Sequence, residues 1–139
     1  MIADRLSPGG GAAARFSTRF AVIVFPSPQL SVVVPTFNER ENIRELVKRL
    51  AVVLDGIAWE VIFVADDSPD GTTALVREVA RQDQRVRVLQ RIGRRGLSAA
   101  CVEGMLASAA PSLAVLDGDL QHDESILPVL LRRLLATLR

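Results

Sequence analysis

Cysteine, lysine and histidine each occur once in these 139 residues, as Cys101, Lys48 and His122. A lone cysteine excludes a disulfide within the chain and cysteine-rich zinc sites. Net charge is scarce too: 17 basic side chains face 16 acidic ones, leaving +1. A chain so close to neutral has no long-range field to recruit a duplex, which argues against a nucleic-acid partner. Long apolar runs are missing as well. The stretch Phe20 to Phe25 is the longest near the N-terminus, far short of the roughly 20 residues that span a bilayer as a helix. What remains is an ordinary globular composition, 49% hydrophobic and 24% charged, at a length that suits one domain with one core.

Residues 1–29 differ from the rest. Pro8 to Gly11 reads Pro-Gly-Gly-Gly, Arg5, Arg15 and Arg19 face only Asp4, and Pro26 and Pro28 close the segment. This composition predicts a flexible leader. A disordered extension, an upstream start codon and a transit peptide all fit it, whereas a secretory signal would need a longer apolar stretch.

From Leu30 to the end of the chain, residues 30–139, the pattern is regular. Short β-branched or apolar runs at 30–34, 61–65, 86–89 and 113–116 predict four strands. Apolar residues at helical spacing predict helices over 39–54, 72–81, 97–110 and 126–138. Four strand–helix units in succession predict an α/β fold with a mainly parallel sheet and right-handed crossovers. Ligands of such sheets bind outside the carboxyl ends of the strands.

Those ends carry the polar residues. The first strand leads into Pro35-Thr36-Phe37-Asn38-Glu39, the second into Asp66-Asp67-Ser68-Pro69-Asp70-Gly71-Thr72, and the fourth into Asp117-Gly118-Asp119-Leu120-Gln121. Two aspartates one small residue apart can face one side of a turn and stay ionised if a cation lies between them. Hard oxygen ligands select magnesium or manganese, whose shell substrate phosphates would complete. The alternative is that Asp119 or Asp123 merely caps the following helix. Arg91, Arg94 and Arg95 form a basic cluster before the third helix, suited to a diphosphate or lipid phosphate or else to a solvated loop. His122 beside the acidic pair reads as a neighbour of the site rather than a ligand, and Trp59 and Cys101 read as core.

Taken together, Ser31 to Glu39 with Asn42-Ile43, Ser68 to Thr72, Gly96-Leu97-Ser98 with Gly104, and Asp117 to His122 resemble family 2 glycosyltransferases. Within that family the resemblance is to the dolichol-phosphate and polyprenol-phosphate sugar transferases. It implies a Rossmann-like GT-A nucleotide-sugar-binding fold, of which residues 30–139 would be the donor-binding, N-terminal part. It also implies a nucleotide-sugar donor of the GDP-mannose or UDP-glucose type, Mg2+ or Mn2+, and an inverting transfer of a hexose to an acceptor such as a polyprenyl phosphate. By the same resemblance Pro35, Phe37, Glu39 and Asp66 bind the nucleotide. Asp117 and Asp119 are catalytic and, with Gln121, hold the metal. Arg91 and Arg95 meet phosphate.

Two departures qualify the likeness. Ala65 stands where the family has an aspartate that reads the base, so Asp66 is expected to take that role and an aspartate at 65 to strengthen binding. Family members also continue well beyond the length of this chain, so a fragment is expected, either active or a non-catalytic nucleotide-binding remnant. A cytoplasmic location at a membrane face is expected, with peripheral attachment or self-association through Leu130, Leu134 and Leu138 of an over-apolar last helix. A phospho-receiver domain, the rival small α/β fold, would need a lysine at the end of a late strand. Lys48 falls in the first helix instead.

Overall fold

The computed structural model describes residues 27–138; most of the expected leader lies outside the described residues. Four strands, β1 (Leu30–Thr36), β2 (Trp59–Asp66), β3 (Val86–Arg91) and β4 (Ser112–Val115), form one sheet in the order β3-β2-β1-β4. Every neighbouring pair is parallel. The helices between and after them are α1 (Ile43–Val53), α2 (Thr72–Gln82), α3 (Leu97–Leu106) and α4 (Leu127–Thr137), with single 3-10 turns at Arg40–Asn42 and Glu124–Ile126. This is the α/β arrangement that the sequence pattern predicts.

Right-handed crossovers decide which face each helix covers. The chain steps outward from β1 through β2 to β3, so α1 and α2 share a face. It then returns across the sheet to β4, which puts α3 on the other. The core follows the same division. Val32, Val34, Val61 and Phe63 point towards Ile43, Leu46 and Leu50 of α1, Val76 and Val79 of α2, and Leu127 and Leu131 of α4. On the opposite face Val33, Ile62 and Val64 pack against Ala100 of α3. The alternation along each strand is the period of two that a pleated strand imposes.

α3 lies against its face at unusually short range. A Cβ added at Gly104 would fall under 3.0 Å from Val33 Cγ1 and at 2.8 Å from Val64 Cγ2, so only glycine allows this approach. Trp59 is buried, with the Arg85 guanidinium 4.5 Å from its ring centroid, whereas Cys101 is only half-buried. Among the described residues no helix is long and apolar enough to cross a membrane.

Candidate active site

A cleft of about 310 Å³ opens at the carboxyl ends of β1 and β2, where the chain order reverses between β1 and β4. That reversal is where open parallel sheets leave room for a ligand, because the connections leave the two strands towards opposite faces. Pro35, Thr36, Phe37, Glu39, Val64, Asp66, Arg95, Gly96, Leu97, Ala100 and Asp117 line it. Of the nine residues singled out from sequence, Pro35, Phe37, Glu39, Asp66, Arg95 and Asp117 therefore meet in one space. Asp119 and Gln121 lie in the adjoining turn, exposed. Arg91 does not reach the cleft.

The loops around the cleft are tied to one another. The Ser68 hydroxyl donates to the Asp66 carbonyl (2.7 Å) and accepts the Asn38 amide (3.2 Å). The Asp70 carboxylate accepts the amide and hydroxyl of Thr72 (3.0 and 2.5 Å) and the Arg40 amide (3.3 Å). Slight burial pushes the Asp70 carboxyl up, but the hydrogen bonds from Thr72 and Arg40 outweigh it and leave it below the usual range. Gly71 sits at φ +82°, which L side chains rarely adopt. The Ser-Pro-Asp-Gly-Thr segment thus starts α2 and also fixes the loop that follows β1.

The acidic turn after β4 is held from the same side. Asn42 donates from Nδ2 to the Gly118 carbonyl at 3.0 Å. Asp119 Oδ1 accepts the Gln121 amide at 3.0 Å, and Leu120 between them adopts φ +62°. A leucine in that region is strained by roughly 1–2 kcal/mol; Leu120 offsets this by packing on the core. Gly118 leaves space for the Glu39 carboxylate, into which any Cβ at 118 would project. Asn42 belongs to the motif that follows the first strand, but the sequence does not reveal its partner. An asparagine opening a helix is an ordinary cap signal, and its partner lies 76 positions away.

Glu39 is the electrostatic centre of the cleft. Burial, then the charges of Asp119, Asp117 and Asp70, push its carboxyl up to about 7. Its Oε2 is buried without a hydrogen-bond partner among the described residues. Beside it, the exposed carboxylates of Asp117 and Asp119 are hard oxygen donors of the kind that suits a divalent cation. Among the described residues no three acidic, histidine or cysteine side chains form a metal site by themselves. Two carboxylates plus ligand phosphates is the usual division for magnesium. His122 Nε2 lies 3.2 Å from Asp117 Oδ2, a neighbour of the acidic pair on the exposed side of the turn.

Arg91 departs from its expected role, and Asp66, which does line the cleft, is already paired within the chain. Arg91 is 2% exposed, and its Nη1 donates to Asp66 Oδ1 and to the Gly96 carbonyl, both at 2.9 Å. Its Nε lies 3.4 Å from Glu103 Oε1, an ion pair without hydrogen-bond alignment. A guanidinium buried between two carboxylates is not presented to a phosphate. Asp66 lines the cleft, but Oδ1 meets Arg91 and Oδ2 accepts the Gly96 amide at 3.1 Å. Ala65 is fully buried and does not line the cleft, so a carboxylate there would be buried in the sheet rather than added to the site. Arg95 faces the cleft and places its guanidinium 5.2 Å from the Phe37 ring centroid, within cation–π range.

The family described as Glycosyl transferase family 2 matches residues 31–138. Among curated relatives, a dolichol-phosphate mannosyltransferase of Pyrococcus furiosus is 38% identical over 103 residues, covering 74% of this chain and 29% of that protein. One of Saccharomyces cerevisiae is 36% identical over 111 residues, 78% of this chain and 42% of that protein. This chain therefore spans less than half the length of either relative. Of solved structures, a mannosyltransferase from Pyrobaculum calidifontis in complex with GDP-Man and Mn2+ superposes with a TM-score of 0.59 at 25% identity, over 73% of this chain and 30% of that one. The match runs through every loop that builds the cleft, and the chain belongs to glycosyl transferase family 2.

Proposed function

We propose that the cleft binds the nucleoside diphosphate of a nucleotide-sugar together with Mg2+ or Mn2+. The chain then carries the donor half of an enzyme that moves a hexose to a polyprenyl phosphate. The observation that carries this reading is the acidic rim at the ends of β1 and β4: Glu39 and Asp117 line the cleft, and Asp119 in the adjoining turn is near enough for its charge to help push the Glu39 carboxyl up. The names of the relatives, dolichol-phosphate mannosyltransferases, support the acceptor class. The GDP-Man and Mn2+ in the solved mannosyltransferase support the donor class and the cation.

Asp117 and Asp119 would hold the cation, with Gln121 close by. A divalent cation supplies Lewis-acid neutralisation of the charge that grows on the leaving diphosphate. The Phe37 ring and the Pro35 backbone offer an apolar wall for the base, and Arg95 offers a planar fork to the phosphates. In the transfer, an acceptor phosphate oxygen attacks the anomeric carbon as the bond to the diphosphate breaks, which inverts the centre. That oxygen is already anionic, so the site needs no general base.

Calorimetric titration with GDP, UDP, GDP-mannose and UDP-glucose tests the reading, with and without Mg2+ or Mn2+. Nucleotide and cation are expected to bind with strong mutual synergy, because the phosphates complete the cation's shell, and Asp119→Asn is expected to remove it. Synergy that survives in Asp119→Asn refutes the metal assignment. Binding without transfer to a polyprenyl phosphate would favour a nucleotide-binding remnant.

A further inference from the structure

Residues Ile92 to Leu97 join β3 to α3 and are exposed throughout, yet Arg95 among them lines the cleft. An exposed segment holds a side chain over a ligand only if something fixes its backbone. The fixation is concentrated at Gly96. Its carbonyl accepts from Arg91 Nη1 at 2.9 Å, and its amide donates to Asp66 Oδ2 at 3.1 Å. Both polar backbone groups of this one residue thus end on the two halves of a buried ion pair, itself closed at 2.9 Å between Arg91 Nη1 and Asp66 Oδ1. The Gly96 carbonyl also accepts the Ala100 amide at 3.1 Å as α3 begins, which orients the helix end but leaves the Gly96 amide to the ion pair. The ties of the preceding residues, Gly93 to Asp67 at 3.4 Å and Arg94 to Glu103 at 2.9 Å, are exposed.

We propose that the Arg91–Asp66 pair is a positioning device for the donor's diphosphate: it fixes Gly96, and so holds the neighbouring Arg95 over the cleft. Arg91 touches no ligand and acts through Arg95. This rests on the donor reading above and adds a division of labour between two arginines of one loop. A buried guanidinium with two fixed acceptors is pre-organised and screened from salt, whereas Arg95, which among the described residues is held only by its cation–π contact with Phe37, would otherwise sample many rotamers. The pair supplies the anchor, and the exposed arginine supplies the charge.

A thermodynamic cycle read by titration of GDP and of UDP in Mg2+ separates this from a purely structural role. Arg95→Ala is expected to weaken binding about tenfold, the order of one charge-assisted hydrogen bond. Arg91→Gln is expected to weaken it by a similar factor. In the double variant the losses do not multiply: affinity falls no more than about twofold below either single variant, because an unanchored Arg95 already contributes little. Losses that multiply to about a hundredfold, or an Arg91→Gln chain with wild-type affinity, overturn the proposal. If Arg91→Gln alone does not fold, Asp66→Asn with Arg91→Gln removes both charges together. The same cycle with Arg95→Ala is run in that background, where non-multiplying losses support the anchor and multiplying losses overturn it. A wild-type chain that binds neither nucleotide defeats the donor reading first. Hydrogen exchange at the Gly96 amide then decides the anchor alone: exchange at least about tenfold faster in the charge-free pair supports it, and unchanged exchange overturns it.

Discussion

Gly104→Ala sets two known effects against each other, and the geometry of α3 decides between them. Alanine is the better helix former by roughly 1 kcal/mol, so at an open helical position the change would stabilise. At Gly104 the added methyl would lie under 3.0 Å from Val33 Cγ1 and 2.8 Å from Val64 Cγ2, whereas apolar carbons rest about 3.5–4.0 Å apart. The helix must therefore move away from the sheet by roughly 1 Å. The valines cannot turn aside cheaply, since a β-branched side chain is stiff at χ1. Overpacking of this kind costs about 1–3 kcal/mol, and contact with stiff side chains of two strands places it near the top of that range. The net expectation is a loss of about 2 kcal/mol, or a fall of about 5–10 °C in Tm for a domain of this size.

Thermal melts followed by far-ultraviolet circular dichroism measure it, with Ala99→Gly at an exposed position of the same helix as the propensity control. Adding Val33→Ala to Gly104→Ala makes room for the methyl and is expected to cost less than the two changes separately. A Gly104→Ala chain that melts at or above the wild type would refute the close approach of α3 to the sheet. Nucleotide affinity should fall as well, because Leu97 and Ala100 of the displaced helix line the cleft.

Acid is expected to weaken the other end of the sheet through Glu60. Burial pushes its carboxyl up, but hydrogen bonds from Ser31, the Ala109 amide and Arg87 outweigh this and leave it below the ordinary glutamate value. Its stabilisation is therefore complete above the unfolded pKa and is lost as pH falls through the depressed folded value. Glu60→Gln should cost about 1–2 kcal/mol at neutral pH, with screening at the half-exposed Arg87 holding the figure down. It should also flatten the decline in stability on acidification, and an unchanged acid slope in denaturant titrations would count against the role. On α4, Leu130, Leu134 and Leu138 are 53%, 44% and 73% exposed, a patch expected to drive self-association. Leu134→Glu should move the sedimenting species towards monomer, and a wild-type chain that is already monodisperse and monomeric would contradict this.

The element order was legible because β-branched runs and helical spacing are local signals. The edges were not, and Glu60 shows why. β2 begins at Trp59 rather than Val61 because Glu60 has its partners 29 and 49 positions away, Ser31 Oγ at 2.5 Å and the Ala109 amide at 2.9 Å. α3 ends at Leu106 rather than Ala110 for a related reason: the backbone at 109 turns to meet that carboxylate. The cleft was legible as a set of motifs at strand ends, and six of its lining residues were named from them. Arg91 could not be assigned that way. Nothing in Arg91-Ile-Gly-Arg-Arg95 tells a buried guanidinium from an exposed one; only the parallel register that sets Arg91 opposite Asp66 does.

The two ends of the sheet differ in how they treat buried charge, and that difference locates the chemistry. At the amino ends, Glu60 is buried and every interaction it needs is met from within the chain: a hydroxyl, an amide and a guanidinium. A carboxylate satisfied this way is part of the scaffold, since a ligand would have to break bonds to reach it. At the carboxyl ends, Glu39 is crowded by Asp117, Asp119 and Asp70, with a buried oxygen that no described residue meets. Burying polar atoms costs free energy unless they are partnered. The unmet acceptor at one end and the saturated one at the other support the proposal that a cation and an anionic ligand bind together at the carboxyl rim of the sheet.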